Sequence, residues 1–296
     1  MQIALHAGVH ATDEGRLLKC LSRNGKVLGP RGIPVPPFGS YRILLRDAIA
    51  AVVSGHSPAH NARAVLLDGI LAGTDHADEP DRLILSNQNF FSNAGAAMRE
   101  GILYRAAEAR LSAMEQLFPR DEIELFIGIR NPATFLPTVQ SAGNTENVDA
   151  FLGGADPLSI RWSDFILRLR HACPRVSITV WCNEDTPLIW GSLLREIASI
   201  EPNLKITGAF DLLSDIMTQE GMKRFRTYLA EHPVMTEMQK RRVISAFLDK
   251  FAKEDEIEEE IAAPGWSPQL LADMTEAYEE DLYHLERIPG VNFLSP

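Results

Sequence analysis

The chain is poor in cysteine, has no long apolar run and lacks any excess of basic charge. Its three cysteines, Cys20, Cys173 and Cys182, are odd in number and widely spaced, with no Cys-x-x-Cys pair. That pattern excludes a disulfide framework or a zinc knuckle and points to a reducing compartment. No stretch approaches the ~18 apolar residues of a membrane-spanning helix. The opening Met1-Gln2-Ile3-Ala4-Leu5 has neither the positive n-region nor the apolar core of a signal peptide. A cytoplasmic protein is expected. With 29 basic against 40 acidic residues the formal net charge is −11, which opposes general binding to nucleic acid or to an anionic membrane. A local basic pocket is compatible with that balance. Nothing reads as a Gly-x-Ser-x-Gly elbow, a Gly-x-Gly-x-x-Gly turn or the Gly-Lys-Ser/Thr loop of kinase-like transferases.

What is present suffices for a substantial core: 296 residues, 45% of them hydrophobic. Gln2 to Leu5, Arg82 to Leu85, Glu124 to Ile129 and Val176 to Trp181 read as strands buried on both faces. Met98, Ile102, Ala106, Ala109, Ala113 and Leu117 recur at helical spacing and predict one amphipathic helix over Ser92 to Phe118. Further helical patterns lie between the strands. This alternation predicts an α/β fold with a mostly parallel central sheet flanked by helices, its ligand crevice beyond the carboxyl ends of the strands. The glycines and prolines between Asn24 and Ser40 predict a long loop, either a lid or an ordered surface loop with no role of its own. From Phe210 onward the pattern is helical and acidic, which divides the chain into an α/β core over 1–209 and a helical C-terminal extension over 210–296 packed on it. The run from Glu254 to Glu260, before the breaker Ala263-Pro264-Gly265, reads as a solvated helix face and end.

Two motifs fall at expected strand ends. The first, His6-Ala7-Gly8-Val9-His10-Ala11-Thr12-Asp13-Glu14-Gly15-Arg16, is a strand, a glycine-containing turn and a helix start. Free amides and the helix dipole make that context suited to an anion. Asp13 and Glu14 either repel a phosphate there or simply cap the helix, and capping is the preferred reading. The second, Ile129-Arg130-Asn131-Pro132 with Thr138 eight residues after the arginine, offers a guanidinium fork and a hydroxyl to phosphate oxygens. It is also an ordinary strand-to-turn junction. His56 and His60 have the spacing of a helical metal pair, and Asp75, His76, Asp78 and Glu79 could add ligands. Pro58 lies between the histidines and favours a loop turn, so no metal is expected.

Taken in order, these motifs resemble the sulfotransferases that use 3′-phosphoadenosine 5′-phosphosulfate. In the family loop His-x-Gly-x-x-Lys-Thr-Gly-Thr-Thr, this chain matches at His6, Gly8 and Thr12. Ala11 stands at the lysine, and Asp13, Glu14 and Gly15 replace Gly-Thr-Thr. Arg130, Asn131-Pro132 and Thr138 match the family's Arg-Asp/Asn-Pro and Ser. Leu83 to Gln88 is similar to a strand ending in Leu-Ser-x-Glu, with Gln88 at the acid. The likeness touches residues 1–20 and about 80–200. It implies a P-loop-nucleotide-hydrolase-like topology, with Gly8, Thr12 and Gly15 at the donor's 5′-phosphosulfate and Arg130 and Thr138 at its 3′-phosphate. His10 is then the candidate general base for sulfuryl transfer to a hydroxyl or amine of a carbohydrate or small molecule. The alternative is a catalytically inactive binding protein of the same fold that recognises a nucleotide, glycan or protein partner.

Overall fold

The computed structural model describes residues 1–74, 79–145, 147–202, 204–253 and 265–296. Asp75, His76, Asp78 and the acidic run Glu254 to Glu260 lie outside them. The strands are β1 (Gln2–His6), β2 (Arg82–Ser86), the short pair β3 (Met98–Arg99) and β4 (Ile102–Leu103), β5 (Glu122–Ile129), β6 (Ser177–Cys182) and β7 (Val291–Leu294). Between β1 and β2 the chain forms α1 (Arg16–Arg23), α2 (Gly25–Leu28), α3 (Phe38–Val53) and α4 (Ala62–Leu71). Helix α5 (Ala107–Leu117) precedes β5, and α6 (Pro132–Ala142), α7 (Val148–Leu152) and α8 (Trp162–Ala172) lead to β6. After β6 come α9 (Thr186–Ala198), α10 (Asp211–Ile216), α11 (Gln219–Glu231), α12 (Glu237–Phe251) and α13 (Pro268–Leu285).

Five strands form one parallel sheet in the order β2-β1-β5-β6-β7. Successive side chains leave a strand on opposite faces, so Ile3 and Leu5 join one core while Ala4 joins another. The first core takes apolar residues of α3, α4, α5, α6, α8 and α13, and the second those of α1 and α9. With both faces covered, the strands read as continuous apolar runs, which is why they were visible in the sequence. A satellite cluster around Leu213, Phe225 and Ile244 holds α10, α11 and α12 together. Among the described residues, no helix is long and apolar enough to cross a membrane.

Three expectations are corrected. The helix expected over Ser92 to Phe118 exists only from Ala107. Its first half is a turn followed by the β3–β4 hairpin, because Glu100 and Gly101 both take positive φ, +52° and +74°, and close a two-residue turn no helix can contain. The segment Asn24 to Ser40 is not one long irregular loop: it includes α2 and the start of α3, and its Gly32 carbonyl accepts from the amides of Asp81 and Arg82 at 3.0 and 3.1 Å. It lies along the outer edge of β2 and covers backbone that would otherwise be open to pairing. Residues 210–296 are not wholly helical, since β7 completes the central sheet against β6.

One polar rung crosses the sheet near the strand starts. Arg82, 3% exposed, donates from Nη1 to Gln2 Oε1 on β1 (2.9 Å) and from Nη2 to Glu124 Oε2 on β5 (2.6 Å). Its Nε donates to the Ile197 carbonyl of α9 at 2.9 Å.

Candidate functional site

In the order β2-β1-β5 the chain leaves β1 for one side and later returns to the other, so the crevice of this doubly wound sheet opens at the carboxyl ends of β1 and β5. Both sequence motifs meet there. The first forms a tight loop between β1 and α1. Gly8 takes φ +64°, and a Cβ on it would stand 2.8 Å from the Gln88 Cα. Only glycine lets the loop approach the backbone after β2 so closely. Thr12 turns its hydroxyl inward to the Val9 carbonyl at 2.7 Å. Gly15, at φ +77°, starts α1.

Asp13 caps that helix. Its Oδ2 accepts from the Leu17 amide at 3.1 Å, and its own carbonyl accepts from Arg16 N at 2.8 Å. The carboxylate thus holds an amide that a bound phosphate would otherwise seek. Glu14 instead points to solvent, 3.7 Å from Arg16.

Arg130, 5% exposed, joins the second motif to the first. Its Nη1 donates to the Ala11 carbonyl at 2.7 Å and its Nε to Thr134 Oγ1 at 2.9 Å. Beneath it, Trp162 Nε1 donates to the Arg130 carbonyl at 2.8 Å. The turn is fixed from outside: Glu184 accepts from Asn131 N at 2.8 Å, and Asn131 Nδ2 donates to Thr275 of α13 at 3.0 Å. Thr138 lies a turn beyond Thr134 and donates to its carbonyl at 2.7 Å.

His10 sits deep beside the loop, 6% exposed. Its Nδ1 is 2.8 Å from Tyr104 Oη and its Nε2 is 2.9 Å from Asn89 Oδ1. The backbone amide of His10 also donates to that hydroxyl at 3.3 Å. An amide oxygen only accepts, so Nε2 carries the proton and Nδ1 takes the tyrosine proton. Both ring nitrogens are therefore engaged within the protein. Tyr104 and Asn89 had no signal in the sequence, because nothing in their spacing relates them to a residue some eighty or ninety positions earlier.

His6, on the same strand end, shares a 2.9 Å hydrogen bond between Nδ1 and Ser86 Oγ, while its Nε2 is buried without a partner among the described residues. Its ring stacks on Trp181 at 5.9 Å. Tyr41 supports the arrangement through both backbone groups of Ser86, and burial pushes its own phenol up to about 12. Burial likewise holds both histidines below the usual imidazole range. The unfolded chain then binds protons that the folded chain refuses once the pH falls below about 6.5. Stability is full above that value and declines on acidification, with a limiting slope of about 1.4 kcal/mol per pH unit for each histidine. Urea unfolding from pH 7.5 to 5 is expected to show this decline, with a shallower slope in His10→Gln; an unchanged slope would refute the assignment to His10.

The cysteines add no chemistry: all three are buried and free, and burial pushes the thiols of Cys173 and Cys182 up to about 12. His56 and His60 are exposed on either side of Pro58. Comparison of the chain with protein-family models, with curated proteins and with solved structures finds no match in any of the three.

Proposed function

We propose that this chain is a sulfotransferase-like protein of P-loop-type topology that binds a ligand and does not transfer a sulfuryl group. The observation that carries this reading is the inward turn of Arg130, whose guanidinium closes the β1–α1 loop onto β5 through the Ala11 carbonyl. Ala11 also stands where the resemblance calls for a lysine, and Asp13 places a carboxylate at the helix start. Two like charges near 4 Å repel by about 4 kcal/mol at an effective dielectric of 20, which disfavours a donor phosphate. His10, with both ring nitrogens engaged, serves here as a loop support and not as a base.

Adenosine 3′,5′-bisphosphate at millimolar concentration is expected to give no rise in thermal midpoint that depends on Arg130. A ligand at ~100 times its dissociation constant adds about 2.7 kcal/mol, so real binding would move the midpoint by several degrees. A shift that vanishes in Arg130→Ala would overturn the proposal in favour of sulfuryl transfer. That second reading has its own support: the amides of Ala11, Glu14 and Gly15 donate to no acceptor among the described residues, as in a backbone nest that receives an anion.

A further inference from the structure

Beside this loop the chain builds a second concavity. The segment after β2, the β3–β4 hairpin and the start of α5 enclose an open cavity of about 580 Å³, within the size range of small-molecule sites. Arg99, Arg105 and Arg110 line it against a single carboxylate, Glu100. Three arginines thus line one hollow in a chain whose formal charge is −11.

The three differ in what they already hold. The Arg99 side chain is exposed and has no hydrogen bond or ion pair among the described residues. Arg105 pairs with Glu100 across the hairpin, both side chains well exposed, and such a pair contributes little and exchanges readily. Arg110 is half-buried. Its Nε donates to the neutral Phe90 carbonyl and its guanidinium lies 5.9 Å from the Phe90 ring. Burial lowers its pKa, and among the described residues no carboxylate pairs with it. A desolvated cation without a counter-ion gains most from an anion that enters. The hairpin turn at Glu100 and Gly101 fixes the backbone next to Arg99, and Ser92, on the cavity wall, follows the Asn89 that holds His10.

We propose that this cavity binds a small ligand carrying a phosphate or sulfate monoester, gripped by Arg99, Arg105 and Arg110. This rests on the binding reading above and gives it a ligand class. Both esters present terminal oxygens in the geometry a guanidinium fork matches. They differ in charge, since a phosphate monoester carries between one and a half and two negative charges at neutral pH, roughly, and a sulfate monoester one.

The test is calorimetric titration of the whole chain at low salt with glucose 6-phosphate, glucose 6-sulfate and glucose. Binding of at least one ester, none of glucose, and a loss of affinity of roughly tenfold or more in Arg99→Gln is expected. The Arg99 side chain has no partner to lose among the described residues, so that variant should keep the parent's thermal midpoint; Arg105→Gln provides a second, independent variant. The tighter ester identifies the source of the anion. No heat from either ester at millimolar concentration, or esters indifferent to both substitutions, would overturn the site. Binding of adenosine 3′,5′-bisphosphate that requires Arg130 would instead overturn the binding-only reading of the β1–α1 loop, so the two failures are distinguishable.

Discussion

Asp281→Ala is expected to destabilise the fold by about 3 to 5 kcal/mol, since three buried donors lose their acceptor at about 1 to 3 kcal/mol each. Asp281 lies on α13 and is 2% exposed. Its Oδ2 accepts from Trp162 N at 2.7 Å and Ser163 N at 3.1 Å, and its Oδ1 from the Ser163 hydroxyl. These amides open α8, whose own N-cap residue, Arg161, supplies no side-chain bond. The start of a helix leaves amides without internal partners, and here a residue from another helix serves them, with its charge matched to the helix dipole. Alanine would leave both amides and a hydroxyl buried and unserved. Asp281→Asn keeps the shape but loses the charge and one acceptor, and should cost about 1 to 3 kcal/mol. Urea unfolding of both variants decides the matter: a loss under 1 kcal/mol for alanine would mean that water reaches the end of α8.

Gly8→Ala carries the second large effect, about 3 kcal/mol. An L-residue at φ +64° costs roughly 1 to 2 kcal/mol. The added Cβ also meets the Gln88 Cα at 2.8 Å. That neighbour is backbone and cannot rotate away, so the loop after β2 must shift, which adds the remainder through strained packing. The same loop carries Asn89, so the imidazole NMR signals of His10 should move with the loss of stability. Gly15→Ala is the control: Gly15 has φ +77°, but nothing lies within 4 Å of its Cβ position, and only the backbone penalty of about 1 to 2 kcal/mol applies. Equal losses at the two positions would remove the close approach from the account.

The central strands could be read from sequence because burial on both faces leaves unbroken apolar runs. β7 could not: Val291 to Leu294 is short, none of it fully buried, and Asn292 interrupts its apolar character. The spacing over Ser92 to Phe118 misled because Met98 and Leu103 are buried by a hairpin and not by a helix face. On one continuous helix Arg99 and Arg110 would stand about 16 Å apart along the axis, so their shared cavity was invisible. At the loop, Asp13 as a cap was legible, since an acidic residue at a helix start has a local meaning. The acceptor of Arg130 was not, because a backbone carbonyl leaves no mark on composition or spacing.

The rung formed by Arg82, Gln2 and Glu124 bears on how the strands find their alignment. Parallel strands that are apolar on both sides have no inside and outside to compare, so sliding one past another by two residues keeps every side chain in an oily setting. What such a slip cannot keep is the meeting of one guanidinium with one amide and one carboxylate from three different strands. A shifted partner would strand Arg82 in the interior without its counter-charge, a far larger penalty than any change in apolar contact. Three polar residues at the quiet end of the sheet thereby select one alignment among several that the apolar residues alone would accept, and the crevice at the opposite end inherits its geometry from that selection.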